Sequence, residues 1–381
     1  MNTNPFAIII ILLLSFNTYY AAHAQDKLLT IEELETVKFH NTWEEALEEP
    51  EQVLVLNLRE QDMETLPAEI RLFKNLQVLN LTLNKLNTLP KEVFALEKLQ
   101  VLDLWGNQFE QIPPGIEKLK SLKFLYLDYN QISSLPAVIG NLENLEVLDL
   151  EGNQLTQLPS EISQLKNLKT LDLEKNKLNR LPDKISNLVN LNILDLEENQ
   201  LSTLPSQMEN LKSLQYLYLQ KNNFRELPSV IGSLESLEFL YLQENQLIKL
   251  HPNLSKLRNL KLLQLSDNSL QDLPEEVCLL EGLVELNVQN NQLKTLSNKI
   301  GQLKNLKTLN LQNNKLGELP GEIRGLSSLE LLNLRENRLR NIYGVLQQLP
   351  QLRELRIKDN PISEDEQKRI KDNFPNTEVR F

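Results

Sequence analysis

The chain is short of the residues from which most catalytic and cofactor sites are built. It has one cysteine, Cys278, in 381 residues, so no intramolecular disulfide can form. That thiol sits one residue after an apolar repeat position, Val277, and reads as a core filler, with an intermolecular disulfide as the alternative. Three histidines, His23, His40 and His251, lie far apart, which leaves no convincing zinc cluster or histidine-based triad. Only 11 glycines are present and none builds a phosphate-cradling loop. With 40 Lys+Arg against 52 Asp+Glu, the net charge is −12 and no basic stripe can neutralise a nucleic-acid backbone. Aromatic residues make up 6%, so their placement carries information. No cofactor is expected. Paired carboxylates such as Asp172 and Glu174 are nominal acid–base groups, but an open surface excludes no water from them, and the reading is non-enzymatic.

Residues 1–24 stand apart from the rest. Phe6–Phe16 is an apolar run too short to span a bilayer as a helix, and it ends in Ala22-His23-Ala24, an A-x-A cleavage pattern. Together these read as a signal peptide cleaved after Ala24, which implies a secreted, cell-surface or periplasmic protein with no transmembrane span in the mature chain. If the segment is retained instead, the alternative is an intracellular signalling scaffold.

What is abundant is repetition. Asn84, Asn107, Asn130, Asn153, Asn176, Asn199, Asn222, Asn245, Asn268, Asn291, Asn314, Asn337 and Asn360 follow one another at intervals of 23 residues without a slip. Leucines are locked to them: around Asn176 come Leu168, Leu171 and Leu173, then Leu178, Leu181, Pro182, Ile185 and Leu188. A period in this range is the mark of a solenoid, in which no turn buries its apolar side chains alone. Leu171 and Leu173 alternate with Thr170, Asp172 and Glu174, which predicts a short strand sending its leucines inward and the others outward. The asparagine amide then offers a donor and an acceptor to backbone groups at the bend, for its own turn and the next. Proline recurs after the L-x-x-L step, and the Ile-x-x-Leu-x-x-Leu spacing that follows suits a short helix or 3₁₀ segment.

Both ends depart from the period. Residues 25–52 read as an N-terminal helical cap, with capping boxes at Thr30–Glu33 and Thr42–Glu45 and a stop at Pro50. Its apolar side chains are expected to cover the leucines of the first turn. Residues 53–362 are the repeats, about 14 turns, with Gln61 replacing asparagine in the first. Residues 363–381 read as a helix–strand cap opened by a capping box at Ser363–Glu366.

The form L-x-x-L-x-L-x-x-N-x-L-x-x-L-P-x-x-I resembles the leucine-rich repeat family in its 23-residue plant intracellular Ras-group and Ras-scaffold type. The entry Trp43–Val53 and the exit Asn360–Phe381 look like those of secreted spirochaetal repeat proteins. The resemblance implies an α/β solenoid, a curved horseshoe with a parallel sheet on its concave face and short helical or 3₁₀ segments on its convex face. It also implies protein binding by the concave face, without naming the partner.

The variable strand positions therefore choose the partner. Trp105, Phe124, Tyr126 and Tyr129 come first, with Asp103 and Asp128 among them. Two acidic columns follow, Asp149, Asp172 and Asp195 beside Glu151, Glu174 and Glu197, and then Tyr216, Tyr218, Phe239 and Tyr241. Beyond these the face turns amide-rich and ends basic at Arg335, Arg356 and Lys358. Aromatic anchors flanking an acidic centre suit a protein partner with a basic surface; cross-strand pairing and a solvated acidic face are the structural alternatives. Stacked carboxylates also admit calcium, which gives a calcium-dependent matrix adhesin as the second reading. A monomer is expected.

Overall fold

A computed structural model describes residues 28–381; the signal-peptide reading lies outside them. No helix among the described residues is long and apolar enough to cross a membrane. The chain divides into two compact units, with the division between Asp172 and Leu173. The first holds strands β1 (Phe39–His40) to β7 (Thr170–Asp172), the second β8 (Ile193–Asp195) to β16 (Glu378–Arg380). Within each unit the strands lie in chain order, each parallel to the next. Register never slips: Leu79 lies opposite Leu102, and Leu240 opposite Leu263. Each unit is thus an α/β solenoid, the expected class.

The alternation of the sequence explains the strands. In β9 (Tyr216–Tyr218) the central Leu217 and the following Leu219 are completely buried, as are their counterparts Leu240 and Leu242 one turn on. The return path is a 3₁₀ segment in nearly every turn, for example Ser160–Gln164, entered from the extended Pro159. Proline suits that entry because its fixed φ and missing N–H cost nothing there. Where proline is absent, an acceptor side chain takes over the cap. His251 Nδ1 accepts from Asn253 N at 3.1 Å, and Ser297 Oγ accepts from Lys299 N at 3.1 Å. Cys278 lies in one such segment, is 2% exposed, and has its thiol pushed up to about 11 by burial, which fits a core filler.

The asparagine amide joins successive turns. Asn222 Nδ2 donates to Leu196 O of the preceding turn at 2.8 Å and to Leu219 O and Gln220 O of its own at 3.2 and 3.1 Å. Its Oδ1 accepts from Leu201 N at 2.9 Å, so one side chain serves four backbone groups. All thirteen residues that precede a ladder asparagine have a left-handed backbone, with φ between 50° and 66°. Only Gly106 and Gly152 among them are glycine. The other eleven each bear roughly 1 kcal/mol of backbone strain, offset by the amide bonds and by their own N–H groups, as when Lys221 N donates to Gln243 O at 3.0 Å. Glycine at 152 has a local reason, since a Cβ there would stand 3.0 Å from the Tyr129 ring.

The N-terminal segment divides its labour in a way the sequence did not suggest. Helix α2 (Trp43–Glu48) buries Ala46 completely and sets Trp43 edge-on to Phe73 of the first turn at 5.3 Å. Helix α1 (Ile31–Leu34) goes elsewhere. Leu34 and Val37, with Leu29 and Ile31, join one apolar cluster with Val55, Val78, Val101 and Val147, outward side chains that open four of the five strands from Val55–Asn57 to Val147–Asp149. Leu29 N donates to Gln77 Oε1 at 2.9 Å, and Gln100 Nε2 donates to Leu29 O at 2.8 Å. The segment therefore lies across the outward face of the sheet.

Of the three capping boxes expected, Thr30–Glu33 is complete. At Thr42, Glu45 turns instead to the backbone of Asn41. At Ser363 the side chain accepts from Glu366 N, but Glu366 Oε1 reaches back one turn to Ile342 N and Tyr343 N at 2.9 and 2.8 Å. It thereby caps helix α3 (Tyr343–Leu346) from helix α4 (Glu364–Asn373).

Replacing Asn222 by Ala would leave the buried Leu201 N–H without its acceptor, while Leu196 O, Leu219 O and Gln220 O would each keep one other donor, from Asn199, Asn245 and Glu198. An unsatisfied buried group costs about 1–3 kcal/mol, so a loss in that range is expected in urea denaturation; a loss below about 1 kcal/mol would contradict the ladder's role.

Candidate functional site: the outward face of the sheet

The side chains that alternate with the buried leucines form three columns across the strands, and the face of each unit is distinct. In the first unit, the arm formed by Leu29–Val37 covers part of the surface expected to meet a partner. Tyr126 belongs to the same apolar cluster as Leu34 and is 9% exposed, and Phe124 packs against that cluster. Sequence reasoning missed this, although a signal existed: Val55, Val78, Val101 and Val147 are apolar at positions where an open face calls for polar residues.

What remains open in this unit is the Trp105–Tyr129 pair. The rings meet edge-on at 6.4 Å, Arg59 lies 5.6 Å over Trp105, and the Tyr129 hydroxyl donates to Glu151 Oε1. Tyr129 is 45% exposed because it occupies the left-handed site before Asn130, at the edge of the strand row.

The acidic columns differ from the solvated ladder of charges that the sequence suggested. Asp149, Asp172 and Asp195 are 6%, 1% and 3% exposed, too buried to touch a partner directly. Part of their work is structural. Asp103 Oδ1 accepts from Trp105 N at 3.1 Å, Asp149 Oδ1 from Glu151 N at 3.1 Å and Asp195 Oδ1 from Glu197 N at 2.8 Å. Where the same position holds asparagine the bond is the same, as from Thr82 N to Asn80 Oδ1 and from Gln289 N to Asn287 Oδ1. A short side-chain acceptor two residues before a bend makes an Asx turn, and aspartate satisfies it as well as asparagine while adding charge.

That charge is costly where it concentrates. Burial, with Asp149 and Asp103 nearby, raises the Asp128 carboxyl well above the ordinary carboxylate range. Burial also raises Asp103, opposed by the hydrogen bond from Trp105. The Tyr126 phenol is raised by burial and by all three aspartates.

In the second unit the aromatic residues form two parallel stacks. Tyr216 lies on Phe239 with centroids 4.6 Å apart and planes 2° from parallel, and Tyr218 lies on Tyr241 at 4.6 Å and 7°. Each pair is directly in register between β9 and β10 (Phe239–Tyr241). The ring spacing is that of the strands themselves. Cross-strand pairing is thus real, and it leaves the block half-buried with Tyr218 at 9% exposure. Of the carboxylates beside it, Glu197 pairs with Lys221 at 2.8 Å and Glu174 with Lys175 at 2.9 Å. Further along, amides bond from turn to turn, as Asn310 Nδ2 does to Gln289 Oε1 at 2.8 Å. The basic end is partly neutralised, because Arg356 pairs with Glu354 at 2.7 Å.

A solenoid of 23-residue turns, with a leucine core and an asparagine ladder beneath a face of varied side chains, defines a class of protein-interaction modules. The family model for a leucine-rich repeat region matches residues 101–194, 164–261 and 243–376, and the chain belongs to the leucine-rich repeat family. A solved leucine-rich repeat protein of Leptospira interrogans is 35% identical with a TM-score of 0.78, over 90% of this chain and 100% of that one. The Toll–Spätzle complex of Drosophila is 26% identical with a TM-score of 0.77, over 86% of this chain and 47% of that one. An internalin of Listeria monocytogenes, 24% identical with a TM-score of 0.70 over 83% of this chain and 88% of that one, shares the fold. No curated protein matches the chain. The resemblance to spirochaetal repeat proteins read from the ends of the chain thus agrees with a solved relative.

Because the folded pKa of Asp128 is raised, the native state holds its proton better than the unfolded state does. Its ionisation therefore opposes folding at high pH, and that penalty fades as pH falls through the raised value toward the ordinary range near 4. Asp128→Asn is expected to raise the melting temperature at pH 8, with a smaller gain at pH 5. Melts followed by circular dichroism at the two pH values check this, and a gain that grows toward acid would refute it.

Proposed function

We propose that the protein is a secreted, non-enzymatic binding protein that holds a partner protein on the outward face of its sheet. The observation that carries this reading is the stacked block of Tyr216, Phe239, Tyr218 and Tyr241 in the second unit. Rigid rings already held in place lose little entropy on binding, which is why tyrosine and tryptophan dominate interface hot spots. Trp105 and Tyr129 offer a second anchor on the first unit. Glu151 and Glu197 are half-buried and Glu198 exposed, and they give the face acidic groups that suit a partner with a basic surface. Asp149, Asp172 and Asp195 contribute charge from below rather than contact.

The Toll structure is a complex with Spätzle and gives one instance of such a fold engaged with a partner. The Leptospira protein is a relative in sequence and fold, and the internalin shares the fold. Export rests on the Ala22-His23-Ala24 pattern. The mature chain acts as a monomer.

Capture from extracellular-matrix and serum extracts with residues 25–381, followed by affinity measurement on the captured protein, tests the reading. A Tyr216→Ala, Tyr241→Ala double variant is expected to weaken binding at least tenfold, by the roughly 2 kcal/mol typical of hot spots, and added salt to weaken it further. Lys184→Glu, at an exposed position of the 3₁₀ segment Asp183–Asn187, is expected to change nothing. Loss of binding in Lys184→Glu with normal binding by the double variant would defeat the proposal. Separately, the intact mass of exported protein should begin at Gln25; a retained N-terminal segment would favour the scaffold reading.

A further inference from the structure

The arm Leu29–Val37 is built as a segment apart from the sheet on which it lies. Its polar groups bond within it: Thr30 N donates to Glu33 Oε2 at 2.7 Å, Glu33 N to Thr30 Oγ1 at 3.2 Å, and Thr36 Oγ1 to Glu33 O at 2.7 Å. It is tied to the sheet at Leu29, and by side chains rather than by a strand. Gln77 Oε1 accepts from Leu29 N at 2.9 Å, and Gln100 Nε2 donates to Leu29 O at 2.8 Å. The two amides also bond each other, Gln100 Nε2 to Gln77 Oε1 at 2.8 Å, and both glutamines are completely buried. An acceptor and a donor side by side thus hold the main chain of one residue, whatever its side chain. The next stretch differs, because Phe39 and His40 pair with Val55 and Leu56 as a strand of the sheet. The chain is therefore anchored just after the arm, and the exposed Lys38 is the joint between them.

The surface under the arm is apolar where a sheet facing water has no need to be. Val55, Val78, Val101, Phe124 and Val147 open five successive strands on the outward side, and Leu34 and Val37 are buried in their cluster. A contiguous apolar stripe marks a binding surface, and the arm is a ligand already seated on it. Its departure strands few polar groups: the arm keeps its internal bonds, and the glutamines keep their mutual bond and take up water. We infer that Leu29–Val37 is a displaceable strap over a peptide-binding site, and that the incoming ligand is an apolar segment of a partner polypeptide. The Gln77–Gln100 pair holds the ligand's main chain, and the stripe selects apolar side chains at the spacing of Leu29, Ile31, Leu34 and Val37. A tethered arm has an effective concentration of roughly millimolar. An identical arm from a second copy therefore competes poorly, whereas a foreign segment with more apolar surface displaces it. The site lies wholly on the first unit and stands whether or not a partner engages the aromatic block of the second.

Hydrogen exchange read by mass spectrometry on the mature wild-type chain is the first test. The bonded amides of Leu34, Glu35 and Thr36 should exchange roughly 100-fold faster, or more, than those of the ladder turns, through an opening that leaves the solenoid folded. Leu34→Asp, which would bury an unpaired carboxylate, should release the arm. A labelled peptide of residues 28–38 should then bind that variant with a dissociation constant of roughly 0.1 mM. The wild-type chain should bind it about tenfold more weakly, since its own arm holds the site. Adding Gln100→Met to the variant, which removes the donor and keeps the length, should weaken the peptide by about fivefold. Arm amides that exchange as slowly as the ladder, equal peptide binding by wild type and variant, or no binding by a folded variant would each overturn the proposal. A light-scattering mass of two chains for the wild type would assign the site to a second copy and overturn it likewise. Should Leu34→Asp fail to fold, the exchange rates of the wild-type arm decide alone.

Discussion

Everything in this molecule depends on one side-chain amide per turn. The ladder asparagine reaches backbone carbonyls of two turns and the N–H of one, so the bend after each strand is satisfied without water. That bond set fixes the 23-residue period, because an added or lost residue would move the amide away from its four partners. The leucines supply most of the apolar burial, but they are interchangeable in kind; the amide sets the register in which they stack. Even the strained left-handed residue before each asparagine is a consequence, since it is the conformation that turns the amide back into the core.

Much of this was legible from the chain alone. A strict period with leucine alternation can be read without coordinates because each turn meets the same environment, and local pattern and tertiary packing then say the same thing. Asn176, Leu171 and Leu173 needed no structure to be placed. The face was less legible, for two physical reasons. First, alternation says that Asp149 and Asp172 point outward from the core, but not that parallel strands under 5 Å apart close over so short a side chain. Hence the two aspartates are nearly as buried as the leucines. Second, the resting place of the non-repetitive segment Leu29–Val37 is a long-range contact with Gln77 and Gln100, and no period announces such a contact.

The two units carry their polar chemistry differently. In the first, charge is compressed: Asp103, Asp128 and Asp149 crowd around Tyr126 under partial cover of the N-terminal arm. In the second, charge is dispersed into pairs with lysine and then into amide ladders, with the stacked rings among them. The same backbone thus supports a strained acidic patch in one place and a compensated, adaptable surface in another. A binding face is what such a contrast suits, because the scaffold remains rigid while its outward columns vary.

The row of left-handed residues has a wider implication. From Leu83 to Asp359 the site is held by leucine, tyrosine, lysine, glutamate, aspartate, asparagine and glycine in turn, all with nearly the same backbone. Glycine would relax it everywhere, yet appears only at Gly106 and Gly152, each where a Cβ would crowd the side chain one turn earlier. The amide ladder is evidently strong enough to make a forbidding conformation indifferent to side-chain identity. Each turn therefore contributes one position at the rim that mutation is free to explore, and the lineage can redraw its outline without renegotiating its core.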